Sequence, residues 1–479
     1  MTESLKDKTA KGLFWGGLSN GLQQLLGMIF GIFLARLLTP ADYGMVGMLA
    51  IFATIANCMQ ESGFTAALTN KKDATHKDYN AVFWCSFGIG VVLYILLFAC
   101  APLIARFFRT PELTPLARFV FLGFLISSTG TAHNAILFKT MKVKERSKAM
   151  LFSLILSNVT GITMAYCGMS YWGIATQTLL YITFYSLFMW HYSPWRPTFE
   201  FDFSPIREML PFSMKLLITN IFHYINENLF SVLLGRFYTR KEVGYYTQAY
   251  KWTNMGQMVI SGVINGVAQP VLVNSGKSNA DQQHVFRKIL RFTAFITFPS
   301  MLGLAFIAPE FITITITEQW LQSAAIMQIL CVWGAFIPIR YLYTNLYISQ
   351  GKSDIFMWNM IALNGVQIVV LLLMMSRGVL AMATAYVCVN LAWMLIWHYQ
   401  AHRLIGIRLL HALKDIAPYL LTTLIAIGVG YLASRSIASI YVRIAAKIAV
   451  TAAVYLSVLW LSGSVIFHES VDYLKKFRR

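Results

Sequence analysis

The feature that most constrains this chain is a succession of long apolar runs separated by short polar segments. About fourteen runs are long enough to cross a bilayer as helices, which takes about 20 residues each. The chain is 57% hydrophobic and only 12% charged, whereas a soluble domain carries about 25% charged residues. The pattern therefore predicts an all-α polytopic membrane protein. The predicted spans lie near 12–38, 44–68, 80–107, 113–138, 149–168, 171–192, 208–235, 244–272, 287–309, 320–349, 355–376, 378–399, 416–434 and 441–467.

The lysine and arginine residues are unevenly divided between the two predicted sides of the membrane. With the N-terminus inside, 25 of the 39 fall on the inner side, nine on the outer side and five within spans. Because basic loops are retained in the cytoplasm, this split predicts that both termini lie in the cytoplasm. The net charge of +19 then reflects basic loops that contact anionic membrane lipids, and not binding of nucleic acid.

A short polar segment occurs twice, 200 residues apart, between apolar runs. Residues 34–44 read LARLLTPADYG and residues 234–244 read LGRFYTRKEVG, with Arg, Thr and Gly at matching positions. The spacing predicts two homologous six-helix bundles, and because six is even, both enter the membrane from the same side as parallel repeats. The predicted domains are an N-terminal bundle (1–200), a C-terminal bundle (201–405) and two further helices with a basic tail (406–479).

The sequence contains no motif for an enzyme, a cofactor or a metal site, so its chemistry rests on polar residues inside predicted spans. Such residues are costly in a bilayer and are candidates for function by default. They form stripes on the first two helices of each half, which predicts one cavity between the bundles. The candidate cavity residues are Asn20, Gln24, Asn57, Glu61, Lys215, Asn220, His223, Glu227, Lys251, Asn254, Asn265 and Arg340.

A structural role is an alternative for several of these side chains. Asn and Gln often hold membrane helices together at a modest gain, roughly 0.6 kcal/mol each. His223 and Glu227 are spaced to pair along one helical face, and Lys215 near a helix end is able to reach the interface. Lys251 lies deeper, and Arg340 follows a proline that loosens the local helix. Buried cations beside many amides suit an anionic, hydroxyl-rich ligand such as a phosphorylated sugar.

Several motifs in consecutive order resemble those of one transporter family. They are LARLLTPADYG (34–44), ESGFTAALTNKKDAT (61–75), APLIARFFRTPEL (101–113), GYYTQAYK (244–251) and SGVINGVAQPV (261–271). Over roughly residues 5–400, the chain resembles the Wzx-type polysaccharide flippases. These belong to the multidrug/oligosaccharidyl-lipid/polysaccharide exporter superfamily, and the branch that this chain resembles is the colanic-acid and teichuronic-acid exporter type. The resemblance implies a protein of the bacterial cytoplasmic (inner) membrane.

The resemblance implies two six-helix bundles in a V-shaped arrangement, plus two C-terminal helices. It implies alternating-access transfer of a polyprenyl-pyrophosphate-linked oligosaccharide for surface polysaccharide export. The family's cavity is typically cationic and its cycle is often linked to a proton or sodium gradient. A polysaccharide polymerase and glycosyltransferases would be its partners. This sequence departs from the family in having few deep basic residues.

Two other functions remain open at the level of sequence. A multidrug/cation antiporter of the same superfamily would need an acidic site in the cavity, for which Glu61 and Glu227 are candidates. A membrane glycosyltransferase or polymerase would need a sizeable outer loop or an acidic metal-binding motif, and the predicted outer loops are short.

Overall fold

The structure is a computed structural model that describes residues 5–61, 63–71, 73–274 and 278–477. Within these residues it is helical, with no β-strand. The helices are α1 (Leu5–Leu37), α2 (Pro40–Gly47), α3 (Ala50–Glu61), α4 (Gly63–Asn70), α5 (His76–Phe107), α6 (Leu113–Lys139), α7 (Val143–Tyr166), α8 (Tyr171–Tyr192), α9 (Ser204–Phe237), α10 (Arg240–Asn274), α11 (Asn279–Ile316), α12 (Leu321–Gly334), α13 (Ile337–Ser349), α14 (Ser353–Met374), α15 (Val379–Ile405), α16 (Leu409–Ser434), α17 (Ile440–Leu461) and α18 (Val465–Phe477).

Ten helical segments within the described residues are long and apolar enough to cross a membrane. They comprise α1, α5 to α7, α11, the segment Glu318–Ser349 and α14 to α17. Helices α8, α9 and α10 occupy three further predicted spans. The chain is thus an all-helical multi-pass membrane protein, while the count of fourteen spans and the V-shaped arrangement stay predictions.

Three predicted spans are not single helices, and the sequence expectation is corrected there. Residues 44–68 belong to the short helices α2, α3 and α4. Residues 441–467 divide between α17 and α18 because Gly463 turns the chain with φ of 66°. The Ser464 amide then donates to the Leu459 carbonyl at 3.1 Å, a helix-ending geometry that favours glycine.

The predicted span 320–349 is also broken, between α12 and α13. Pro338 lies in the first turn of α13. Proline has no amide hydrogen to continue the ladder of a preceding helix, but it fits the start of a new one. The break at residues 335–336 therefore falls just before Pro338, where the sequence loosens the helix.

The chain forms two compact units, residues 1–244 and residues 245–479. In the first unit α5 packs against α6, α7 packs against α8 and α1, and α9 packs against α3, α4 and α5. Helix α9 opens the second sequence repeat, yet its neighbours are helices of the first repeat. The domain boundaries predicted at 200 and 405 therefore describe the sequence repeat and stay a prediction.

In the second unit, α11 packs against α12, α13, α16 and α17. Arg287 at the start of α11 pairs with Asp415 on α16 at 2.6 Å. Lys447 on α17 pairs with Glu310 near the end of α11 at 2.8 Å. The two helices that lie outside the sequence repeat are thus fixed to α11 near both of its ends.

The repeated polar segment has the same local structure in both copies. The amide of Thr39 donates to the Asp42 carboxylate at 2.9 Å, and the amide of Thr239 donates to the Glu242 carboxylate at 2.9 Å. Each threonine hydroxyl accepts a hydrogen bond from the backbone amide of that acid at 3.4 Å. These reciprocal bonds form a capping box, and they begin α2 and α10 at matching positions.

Candidate substrate-binding residues

Three candidates in the first unit have described side chains. Asn20 is exposed and Gln24 half-buried on α1, and Asn220 is half-buried on α9. Among the described residues, none of the three amides has a hydrogen-bond partner, so no helix-bridging bond is seen for them there. Whether they share one cavity with the other candidates stays a prediction.

Six candidates lie on described helices, but their side chains are outside the described part of the chain. They are Asn57 and Glu61 on α3, Lys215, His223 and Glu227 on α9, and Asn265 on α10. The four on α9 and α10 lie in helices that match the predicted spans 208–235 and 244–272, whereas Asn57 and Glu61 lie on one of the short helices that replace the predicted span 44–68. Their contacts, and the pairing of His223 with Glu227, stay predictions.

Lys251 lies on α10 at the head of a polar stripe in the second unit. It is half-buried, with Nζ 5.7 Å from the centroid of the Trp252 ring. One turn later the side-chain Oδ1 of Asn254 accepts a hydrogen bond from Nε2 of Gln257 at 2.6 Å. Oε1 of Gln257 in turn accepts one from the Ser261 hydroxyl at 2.7 Å. Sequence reasoning missed Gln257 and Ser261, although their three- and four-residue spacing from Asn254 marks the same face.

Arg340 on α13 is the most buried of the candidate cations whose side chains are described, with 7% of its surface exposed. Its guanidinium carbon lies 4.7 Å from the centroid of the Tyr341 ring, and Nη1 lies 3.8 Å from the Met360 sulfur. Its Nε has no hydrogen-bond partner among the described residues. Neither contact carries a negative charge, so the buried charge of Arg340 is left without a carboxylate there.

The buried carboxylates, unlike Arg340, have partners of opposite charge. Among the described residues they are Asp78, Glu310 and Asp415, and each has a basic partner. Glu310 pairs with Lys447, and Asp415 pairs with Arg287. Asp78 pairs with Lys71 at 2.9 Å, and this hydrogen bond raises the pKa of Lys71.

Sequence reasoning missed the Lys447–Glu310 pair. Lys447 was visible as a cation inside a predicted span, but its partner lies on a helix far away in the sequence. The pair neutralises Lys447 within the protein, so this lysine differs from Lys251 and Arg340. Arg340 is buried and Lys251 half-buried, and neither has a carboxylate partner among the described residues, whereas each buried carboxylate there has a basic partner. The described interior is therefore suited to an anion.

Comparison with known proteins decides the family. A family model described as "Polysaccharide biosynthesis protein" matches residues 33–325. The chain belongs to this family. The resemblance to the polysaccharide flippases seen in the sequence is thereby confirmed.

Two relatives of this polysaccharide biosynthesis protein are similar over most of its length. The teichuronic acid biosynthesis protein TuaB of Bacillus subtilis is 25% identical over 465 residues, covering 95% of this chain and 96% of the relative. The lipopolysaccharide biosynthesis protein WzxC of Escherichia coli is 22% identical over 358 residues, covering 74% of this chain and 72% of the relative.

A solved structure shows the same fold. The lipid II flippase MurJ in an inward closed conformation superimposes with a TM-score of 0.77 at 17% identity, covering 98% of this chain and 100% of that one. The match extends through α16 and α17, so the two helices outside the repeat belong to the shared fold.

Proposed function

We propose that this polysaccharide biosynthesis protein is a flippase of the bacterial cytoplasmic membrane. It moves a polyprenyl-pyrophosphate-linked oligosaccharide from the inner to the outer leaflet by alternating access, for export of a surface polysaccharide. Both termini lie in the cytoplasm, as the basic loops indicate. The names of TuaB and WzxC, which refer to cell-surface glycans, and the fold shared with a lipid II flippase support this proposal.

The observation that carries the proposal is the distribution of buried charge. Lys251 and Arg340 have no carboxylate partner among the described residues, whereas every buried carboxylate described there has a basic partner. An uncompensated charge in a low-dielectric interior is costly. The pyrophosphate of the substrate would supply the missing negative charge, and the amides of α10 would bind sugar hydroxyls.

The same distribution argues against the cation antiporter. Such a transporter needs a carboxylate that is free to exchange a proton or sodium ion for the drug. Asp78, Glu310 and Asp415 are each held by lysine or arginine. Glu61 and Glu227 remain the candidates for an acidic site, or for coupling to a proton or sodium gradient.

The test is reconstitution in liposomes that carry a polyprenyl-pyrophosphate-linked oligosaccharide in both leaflets. A membrane-impermeant lectin reports the sugar exposed on the outside. We expect about half of the sugar to be accessible without the protein, and nearly all of it to become accessible with time when the protein is present. Vesicles that export a cationic dye but leave the inner sugar protected would overturn the flippase and favour the antiporter.

A further inference from the structure

The linker between α8 and α9, residues 193–203, reads SPWRPTFEFDF and is held along one face of α5. Nε2 of His76 lies 3.1 Å from the Thr198 hydroxyl. The Asn80 side chain donates to the Glu200 carbonyl at 2.6 Å and accepts from the Thr198 amide at 2.9 Å. Because His76 and Asn80 are four residues apart on a helix, the linker runs along the axis of α5.

Trp84, one turn further along the same face, continues this attachment. Its indole Nε1 donates to the Thr198 carbonyl at 2.8 Å. Its ring lies 5.5 Å from the ring of Phe199 and 5.0 Å from that of Phe201. The linker is therefore a fixed element of the first unit, and Phe199 and Phe201 lie at the level of Trp84.

Three phenylalanines alternate with two acids along the linker. Phe199, Phe201 and Phe203 are 85%, 61% and 47% exposed, and Glu200 and Asp202 are also exposed. The phenylalanines form an apolar edge of the linker, which the protein leaves largely uncovered.

The position of Trp84 along α5 indicates what covers that edge. Helix α5 has 32 residues and is about 48 Å long at 1.5 Å per residue, so about 9 Å extends beyond each side of a 30 Å hydrocarbon core. Trp84 lies eight residues after His76, about 12 Å along the axis. It therefore lies at the boundary of headgroups and acyl chains, where aromatic rings are favoured.

We propose that residues 193–203 form a lipid-binding element of the leaflet that the predicted topology makes cytoplasmic. Phe199, Phe201 and Phe203 insert at the acyl boundary, while Glu200 and Asp202 face water. Lys77, exposed beside His76, and Arg196 in the linker meet the phosphates of anionic lipids. The element fixes the junction between the two sequence repeats at a set membrane depth.

The test uses single cysteines in a cysteine-free background, each labelled with a nitroxide, in nanodiscs of phosphatidylglycerol and phosphatidylcholine. Labels at positions 199, 201 and 203 are expected to collide more with oxygen, which partitions into lipid, than with a water-soluble nickel chelate. Labels at Glu200 and Asp202 are the matched controls and should show the reverse. Equal access of the nickel chelate to all five sites would overturn the proposal.

Two further variants separate insertion from a folding defect. In Asn80→Ala the linker loses both hydrogen bonds to the Asn80 side chain. The difference in oxygen and nickel-chelate access between positions 199, 201 and 203 and positions 200 and 202 should then become smaller, while the protein still elutes as one species. In Lys77→Gln with Arg196→Gln the labels at 199 and 201 should become shallower only when phosphatidylglycerol is present. Unchanged depth would exclude the proposed headgroup contacts. These measurements do not involve transport, so their failure leaves the flippase proposal intact.

Discussion

Gly44 and Gly244 make a reciprocal contact inside the first unit. A Cβ atom on Gly44 would lie 1.8 Å from the carbonyl oxygen of Arg240, and one on Gly244 would lie 1.8 Å from that of Pro40. Pro40 and Arg240 are 200 residues apart, as are the two glycines. The first turn of α2 thus crosses the first turn of α10 with approximate two-fold symmetry, at a distance that only a residue without a Cβ allows.

Side chains reinforce this crossing on the predicted outer side. Arg240 pairs with Glu112 at 2.7 Å, and this hydrogen bond lowers the pKa of Glu112. Arg236 donates to the Phe107 carbonyl at 2.7 Å. The second copy of the repeated segment therefore contacts the turn between α5 and α6 as well as α2.

An alanine at either glycine would force the two turns apart. We expect Gly44→Ala and Gly244→Ala each to cost about 1–3 kcal/mol, as overpacking does, and to lower the Tm of the purified protein. Gly88→Ala is the matched control, because a Cβ there meets no atom within 4 Å and alanine is favoured in a helix. Parental Tm values for both crossing variants would show that the contact is absent.

The Lys447–Glu310 pair is expected to stabilise the attachment of α17 to α11. Lys447→Met alone leaves a buried carboxylate and should destabilise the protein by about 3–5 kcal/mol. The double variant Lys447→Met/Glu310→Met should recover most of that loss, since no charge is left unpaired. Thermal unfolding in nanodiscs compares the parent, Lys447→Met, Glu310→Met and the double variant, and strictly additive losses would argue against a direct pair.

Lys251 and Arg340 should behave differently from Lys447. We expect Lys251→Met and Arg340→Met to reach the membrane at parental abundance but to lose more than tenfold in flipping rate, because the substrate charge is no longer met. Lys251→Arg should retain partial activity, since the charge survives with altered geometry. Immunoblots and the lectin assay measure the two properties. Full flipping by both methionine variants would remove these residues from the binding site.

The predicted topology is open to a direct check. Reporter fusions after residues 40, 75, 110 and 145 should lie outside, inside, outside and inside, because these positions lie near the ends of successive predicted spans and the basic loops favour the inside. Alkaline phosphatase and a fluorescent protein report the two sides. Two neighbouring fusions on the same side would be incompatible with fourteen spans.

Accessibility to water distinguishes polar residues that line a cavity from polar residues that only join helices. Cysteines replacing Asn20, Asn57, Asn220 and Asn254 in a cysteine-free background should react with a small hydrophilic thiol reagent. Val92→Cys is the control, because Val92 is an exposed apolar residue of α5 and should face lipid. Reaction rates at the four amide positions no faster than at Val92 would indicate that the polar stripes only join helices.

The positions of the helices and of the repeated segment followed from the sequence, because the signals are local. The length of an apolar run decides whether a helix spans the bilayer, and the capping residues Thr39 and Thr239 mark the same helix start in both copies. Lys251 and Arg340 were found for a similar reason, since a cation stands out in an apolar run. The family resemblance used the same local motifs.

Only the tertiary structure decided which polar groups have partners. Arg287 and Asp415 are 128 residues apart in the chain, and periodicity shows which face of each helix is polar but not which helix packs against it. For the same reason the sequence did not predict the pairing of Lys447 or the packing of α9 against helices of the first repeat. Gly44 is the clearest example. The sequence shows that this residue is a glycine, but only the structure shows why, because a Cβ atom there would overlap the carbonyl oxygen of Arg240.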